Sequence, residues 1–172
     1  MSFNFSFRTP DSTQDLKQLI DFLMKQDLGY PQYEDWVQRA EQEIDQGYKI
    51  AILAFNEGKI VGDVIYQPHK QLPRVREIKN IRIHPQLRGR SFAHFMLKQA
   101  EVEQKEQYDA LMVDARADQK DVIALLMRNG YVPLGQKTLY DPNAVEVIMI
   151  KTLDKRSESG ILYSAKDFLF KS

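Results

Sequence analysis

Apolar and polar positions alternate from the start of the chain. Phe3, Phe5 and Phe7 stand against Asn4, Ser6 and Arg8, a period of two that predicts a half-buried strand, and Pro10 ends it. Ser12 or Thr13 is then placed to cap a helix whose apolar residues Leu16, Leu19, Ile20, Leu23 and Met24 recur at helical spacing. Gly29-Tyr30-Pro31 breaks that helix, and a second, over 33–46, carries Trp36, Val37, Ala40 and Ile44 before Gly47. The pattern then changes. Residues 48–56 and 59–66, joined at Glu57-Gly58, predict a β-hairpin. A polar loop over 67–74 leads to a third strand over 75–84, with Ile78, Asn80 and Arg82 on one face and Lys79, Ile81 and Ile83 on the other. A helix over 89–106 follows, with Phe92, Phe95, Met96, Ala100 and Val102 as its buried stripe. The remainder predicts a strand at 110–115, a helix at 119–128 stopped by Gly130, and strands at 131–136 and 145–151.

This order of elements describes an α/β chain with a mixed sheet, in the α+β manner, forming a single domain over 1–152 with a short extension over 153–172. The extension begins polar and ends in Phe168-Leu169-Phe170. An exposed run of that kind is a liability, so a docked helix is expected, either on its own domain or on a second subunit in a homodimer.

Composition narrows the chemistry. The chain has 172 residues, with 24 Lys and Arg against 24 Asp and Glu. Zero net charge provides no global field for nucleic acid or an anionic membrane, and neither is expected as a partner. The absence of cysteine excludes disulfides, thiolate metal sites and a cysteine nucleophile. His69, His84 and His94 do not have the spacing of a metal set, so no metal is expected. No run of about 18 apolar residues occurs and the start lacks the pattern of a signal peptide. The expectation is a soluble, cytoplasmic protein.

The informative segment is Ile81-Arg82-Ile83-His84-Pro85-Gln86-Leu87-Arg88-Gly89-Arg90-Ser91-Phe92-Ala93. A strand, a short turn and a helix that opens with small residues leave helix N–H groups unpaired at the turn, where the macrodipole favours an anion. Gly89, Ser91 and Ala93 would let a diphosphate lie close to the backbone. Charge-assisted bonds there contribute roughly 1.5–3 kcal/mol each. The same segment imitates a Gly-x-Ser-x-Gly nucleophile elbow, but that arrangement needs a later histidine, and His94 is the last in the chain. Region 70–90 is basic: Lys70, Arg74, Arg76, Lys79, Arg82, Arg88 and Arg90 are opposed by Glu77 alone. It either steers phosphates or places its cations on alternate faces of a strand and loop.

From these residues the chain resembles the GCN5-related N-acetyltransferase (GNAT) superfamily. Arg88-Gly89-Arg90-Ser91-Phe92-Ala93 is similar to its phosphate loop, Arg/Gln-x-x-Gly-x-Gly/Ala. The helix ending in Gly130-Tyr131 is similar to its next signature, and the order of elements matches over about 3–152. The resemblance implies a GNAT-like acyl-CoA N-acyltransferase fold and acetyl-CoA as cofactor. It would lie between the strand ending at Ile83 and the strand 110–115, with its pantetheine arm on the backbone of Ile81 and Ile83 and its pyrophosphate on Arg88, Gly89, Arg90, Ser91, Phe92 and Ala93. Gln119 stands near a family Asn that contacts the cofactor. Strand N–H groups would polarise the thioester carbonyl.

Two positions depart from the family pattern. Ser91 replaces the second loop glycine, though its N–H and hydroxyl can both bond phosphate. Leu126 occupies the place of the family's proton-donating tyrosine, and a hydrocarbon cannot protonate a thiolate, which leaves Tyr131 or water. At pH 7 a lysine amine of pKa ~10.4 is neutral about once in 10³ molecules, and an α-amine near ~8 about once in ten. A lysine acceptor therefore needs a carboxylate or desolvation more than an N-terminal or small amine does, and the resemblance makes Glu77 and Asp114 the candidates for that base. The acceptor, a small molecule or a protein amine, stays open. So does a second reading, in which the chain is a CoA-binding regulatory or interaction module with weak or no turnover. The aromatic segment Tyr30-Pro31-Gln32-Tyr33-Glu34-Asp35-Trp36 either walls the acceptor side or packs a helix onto the sheet.

Overall fold

The computed structural model describes residues 4–89 and 91–171. Two compact units divide it: Met1–Gln67 with Lys79–Ala100, and Pro68–Ile78 with Glu101–Ser172. Phe3 and Arg90 lie outside the described residues.

In the first unit the strands run in the order β1 (Phe5–Arg8), β2 (Ile50–Asn56), β3 (Lys59–Pro68) and the later part of β4 (Val75–Ile83). The first three pair antiparallel, with Phe7 opposite Ala54 and Ile52 opposite Val64. A register shift between Ala54 and Phe55 bulges the hairpin. Helix α1 (Thr13–Met24) is capped by the Ser12 hydroxyl, which accepts from the Asp15 N–H at 3.1 Å. With α2 (Tyr33–Asp45) it covers one sheet face. Leu19, Leu23 and Val37 bury against Leu53, Phe55 and Ile65. Tyr33 and Trp36 stack at 6.1 Å and the Tyr33 hydroxyl donates to the Leu23 carbonyl at 2.7 Å, so these aromatics pack the helix rather than stand open. On the other face Phe92, at the start of α3 (Phe92–Val102), meets Phe5 at 5.1 Å and Phe7 at 6.0 Å. A Cβ on Gly62 would lie 3.1 Å from the Phe92 ring, so β3 carries a glycine where α3 crosses it.

The expected stripe of α3 needs correction. Phe95 is 53% and Val102 59% exposed, while Leu97 is buried beside Phe92, Met96 and Ala100. The helix begins at 92, three residues later than the apolar pattern suggests, because Gly89 and Ser91 both take left-handed backbone. It ends at 102 rather than 106, since Gln104 is also left-handed and a 3₁₀ turn follows.

The second unit has the order β4, β5 (Ala110–Arg116), β7 (Glu146–Thr152), β6 (Val132–Lys137), where β4 contributes residues 75–78. The β4–β5 pair is parallel with Glu77 opposite Met112; the others are antiparallel. Helix α4 (Lys120–Arg128) buries Leu126 and is stopped by Gly130, whose φ of 89° is the left-handed cap the sequence predicts. Lys151 pairs with Glu101 and passes beside the Tyr131 ring. The extension forms α5 (Glu158–Phe170), whose Ile161, Leu162, Ala165 and Leu169 pack on Val75, Met112, Ile148 and Ile150. These four cover the sheet of their own unit, whereas Phe168 at 43% and Phe170 at 38% keep part of their surface exposed. Among the described residues, no helix is long and apolar enough to cross a membrane.

Candidate functional site

The phosphate-loop candidate belongs to the first unit. Strand β4 ends at Ile83. His84 Nδ1 accepts from the Gln86 N–H at 3.3 Å and so caps the 3₁₀ turn Pro85–Leu87. Gly89 then takes φ 74° and Ser91 φ 59°, and α3 starts at Phe92. The first turn of a helix leaves its N–H groups without helical acceptors; here the Phe95 N–H is already bonded back to the Ser91 carbonyl. The N–H groups of Phe92 and Ala93 therefore belong to the part of the helix that favours an anion. A Cβ built on Gly89 meets nothing within 4 Å, so a ligand can approach the backbone there from solvent. Ser91 is exposed and holds a conformation that costs an L-residue roughly 1–2 kcal/mol, which explains why the related loop pattern carries glycine at this place.

The other loop candidates fall in different settings. The Arg88 guanidinium donates to the Ile83 carbonyl at 3.2 Å and to Gln26 Oε1 at 3.1 Å. It braces the turn against the end of α1. The Ile81 carbonyl accepts from Arg82 at 3.0 Å, so in the backbone of Ile81 and Ile83, expected to meet a pantetheine arm, both carbonyls already take an arginine donor. The Phe92 side chain is in the core, which leaves only its backbone for a ligand. Ala93 is half-buried, and Arg90 is outside the described residues. Two arginines of the basic run belong to the second unit. Arg74 forks onto Asp109, and Arg76 donates to the Glu103 carbonyl and lies 3.8 Å over the Tyr108 ring.

Asp63 on β3 is fully buried in the same unit. Its Oδ2 accepts from Asn80 Nδ2 at 2.6 Å, whereas Oδ1 has no hydrogen-bond partner. Burial pushes its carboxyl up to about 7, against the pull of Asn80 and Arg82.

The carboxylate candidates belong to the second unit, and the register puts them on one sheet face. Glu77 is opposite Met112, and Asp114 follows two residues later on the same side. Glu146 of β7 is opposite Arg116. The sequence reading missed two residues here. Tyr140, in the loop between β6 and β7, donates its hydroxyl to Asp114 Oδ1 at 3.1 Å. Desolvation, then the charges of Asp114, Glu77 and Glu146, push its phenol up. Glu146 is 1% exposed, and neither carboxylate oxygen has a hydrogen-bond partner. Burial and then the negative charge of Asp114 raise it to about 7, while Arg116 pulls it down. A carboxylate inside an apolar strand run, 145–151, was the available signal. Gln119 caps α4 without a side-chain bond and is half-buried. Leu126 is buried in the core. The Tyr131 hydroxyl is buried too, without a hydrogen-bond partner, and burial pushes it up. Among the described residues, no cluster of acidic and histidine side chains could hold a metal ion.

Comparison with known proteins bears on the family and the fold. The sequence profile of the Acetyltransferase (GNAT) family matches residues 14–131. No curated protein sequence gives a significant match. Solved structures share the fold at low identity. A protein from Desulfovibrio desulfuricans assigned to the GNAT family superposes with a TM-score of 0.77 at 14% identity, over 88% of this chain and 100% of its own. The ribosomal-protein-S18-alanine N-acetyltransferase of Escherichia coli gives 0.71 at 17%, over 88% and 95%. An aminoglycoside 6'-N-acetyltransferase in complex with coenzyme A gives 0.70 at 16%, over 88% and 98%.

Proposed function

Since the chain belongs to the GNAT family of acetyltransferases, we propose that it transfers an acetyl group from acetyl-CoA to an amine by direct attack of that amine. The observation that carries this reading is the turn after β4, where two left-handed residues, Gly89 and Ser91, lead into the N-terminus of α3. The open space above Gly89 fits a ligand lying against backbone. The N–H groups of Phe92 and Ala93, the Ser91 hydroxyl and the Arg90 cation would hold its phosphates, while Arg88 braces the turn.

Bound acetyl-CoA supplies an activated acyl thioester. The chain has no cysteine to carry the acyl group on a thiolate, which favours a single transfer over a two-step route. Asp114 or Glu77 takes the proton from the ammonium form of the acceptor, since a protonated amine has no lone pair to attack with. Water protonates the departing thiolate, because Leu126 has no donor and Tyr131 lies in the core. Relatives of this fold whose names specify an acceptor act on a protein alanine and on an aminoglycoside. An amine acceptor is the chemistry they share.

Thiol release from acetyl-CoA across a panel of amines tests the reading. Release that depends on an amine, and that falls in Asp114→Asn or Glu77→Gln with CoA affinity unchanged, is the expected result. The absence of release with every amine while CoA still binds would favour a CoA-binding module without turnover, to which the buried Leu126 is suited.

A further inference from the structure

The loop over 138–145 has both ends tied down. Lys137, the last residue of β6, donates its ammonium to the Leu169 carbonyl at 3.1 Å, and the Val145 carbonyl accepts from the Ala117 N–H at 2.9 Å. Between them Asp141 closes a turn. Its carboxylate accepts from the Asn143 N–H at 2.8 Å and its carbonyl from the Ala144 N–H at 3.0 Å. Tyr140 precedes this turn, so a fixed loop sets where its hydroxyl donates, on Asp114 Oδ1. Two carboxyls of one sheet face then differ. Asp114 has this phenol as a donor, whereas neither oxygen of the buried Glu146 has one, and burial and then the charge of Asp114 raise it to about 7. The repulsion is mutual: a charge on Glu146 disfavours one on Asp114, and a hydrogen bond donated to the charged form does the opposite. The phenol keeps its own proton well above neutral pH, since desolvation and then the charge of Asp114 push it up; Asp114 acts on it more strongly than Glu77 or Glu146. Charged groups on the surrounding elements are Glu77 of β4, Arg116 of β5, which pairs with Asp118 at 2.9 Å, and Lys137 opposite Glu146. Helix α5 turns Ile161, Leu162, Ala165 and Leu169 to the sheet.

We infer that Asp114 is the base of the acetyl transfer and that Tyr140 is its positioning residue, whose hydroxyl holds the carboxylate in one orientation and favours its ionised form. The inference rests on the acetyl-transfer reading and deepens it, choosing between the two candidate bases. The acceptor ammonium gives a proton to Asp114, and the freed amine attacks the thioester. The C–N bond forms as the C–S bond breaks. Of the two protons that the nitrogen gives up, one passes by Asp114 to solvent and the other reaches the thiolate through water. The phenol retains its proton throughout, which makes it a fixed donor and not a second acid.

The test uses the intact protein and Tyr140→Phe, which keeps the ring and removes the donor. With an amine that the wild type acetylates, kcat for thiol release falls at least about tenfold, KM for acetyl-CoA is unchanged, and Tm moves by no more than a few degrees. The acidic limb of the kcat–pH profile moves up by about one pH unit, because the lost donor favoured the charged carboxylate. In an Asp114→Asn background Tyr140→Phe causes no further loss. The carbon-13 resonance of the Asp114 carboxyl, followed against pH without substrate, titrates at a higher midpoint in Tyr140→Phe than in the wild type. An unchanged limb and midpoint, a further loss on top of Asp114→Asn, or disappearance of the limb in Glu77→Gln but not in Asp114→Asn would each overturn the assignment. A wild type that releases no thiol with any amine would overturn the acetyl-transfer reading and the base with it. The resonance midpoint would then still decide whether Tyr140 favours the ionised Asp114.

Discussion

Asp63 makes the stability of this protein fall as the solution becomes more alkaline. Its carboxyl is fully buried, one oxygen is held by Asn80 and the other has no donor, and burial lifts it from 3.8 to about 7. The unfolded chain therefore releases this proton near pH 4, whereas the folded chain keeps it until near neutrality. Between those values the folded state binds more protons, so stability is full below the unfolded pKa and declines as pH rises towards the folded one. At 1.36 kcal/mol per unit, the penalty is about 1.5 kcal/mol at pH 5 and about 4 kcal/mol at pH 8. Asp63→Asn removes the ionisation but leaves an amide N–H facing the place of Oδ1, a loss of about 1–3 kcal/mol that does not depend on pH. The informative quantity is thus the change in the variant's stability relative to wild type between the two pH values, about 2–3 kcal/mol in the variant's favour at pH 8. With a urea m-value of about 2 kcal/mol/M, that moves the difference in midpoints by about 1 M. Parallel urea titrations at pH 5 and pH 8 measure it directly. A midpoint difference that stays constant across the range would refute the reasoning, because Asp63 would then be ionised in both states.

Other consequences follow from particular contacts. Ser91→Gly relieves the left-handed backbone at an exposed position and should raise stability by up to about 1 kcal/mol, read as a Tm increase of a few degrees; a decrease would mean the serine side chain holds the turn. Leu126→Tyr, which restores the tyrosine of the related pattern, places a larger polar side chain in a fully packed site. It should lower stability by about 1–3 kcal/mol without raising kcat, measured by urea titration and thiol release. Asp15 is buried, accepts the Arg8 guanidinium and the Asp11 N–H, and is held well below the usual carboxylate range by Arg8. Because its folded pKa is depressed, its contribution is present at neutral pH and lost on acidification. Asp15→Asn should lower the urea midpoint at pH 7, with a gap to wild type that closes as the pH falls.

Where local chemistry decides the backbone, the sequence shows it. Ser12 before an apolar helix and Gly130 after Arg128 each have one cheap conformation, Glu57-Gly58 separates two apolar runs, and the elements begin and end there. The start of α3 was misread because Phe92 and Phe95 both suit an apolar stripe. Two left-handed residues upstream set which one faces inward, and the serine at 91 gives no hint of a positive φ. The loop candidates were legible as one contiguous motif. The setting of Arg88 was not, since its partner Gln26 lies sixty-two residues earlier in the chain. Tyr140 and Glu146 were missed for a related reason. Their significance depends on the β5–β7 register, which brings Glu146 opposite Arg116, and on a loop that returns Tyr140 to Asp114.

Calorimetric titration of the protein with coenzyme A, beside Gly89→Val, tests the central claim most directly. Gly89 has φ 74° and a Cβ there meets nothing within 4 Å, so a valine is strained through its backbone but finds room for its first side-chain carbon, which lies where the phosphates would rest. The account predicts saturable, roughly micromolar binding to the wild type, weakened at least about tenfold in a variant that is still folded but less stable by about 1–2 kcal/mol. No binding to the wild type, or equal binding to both proteins, would contradict it.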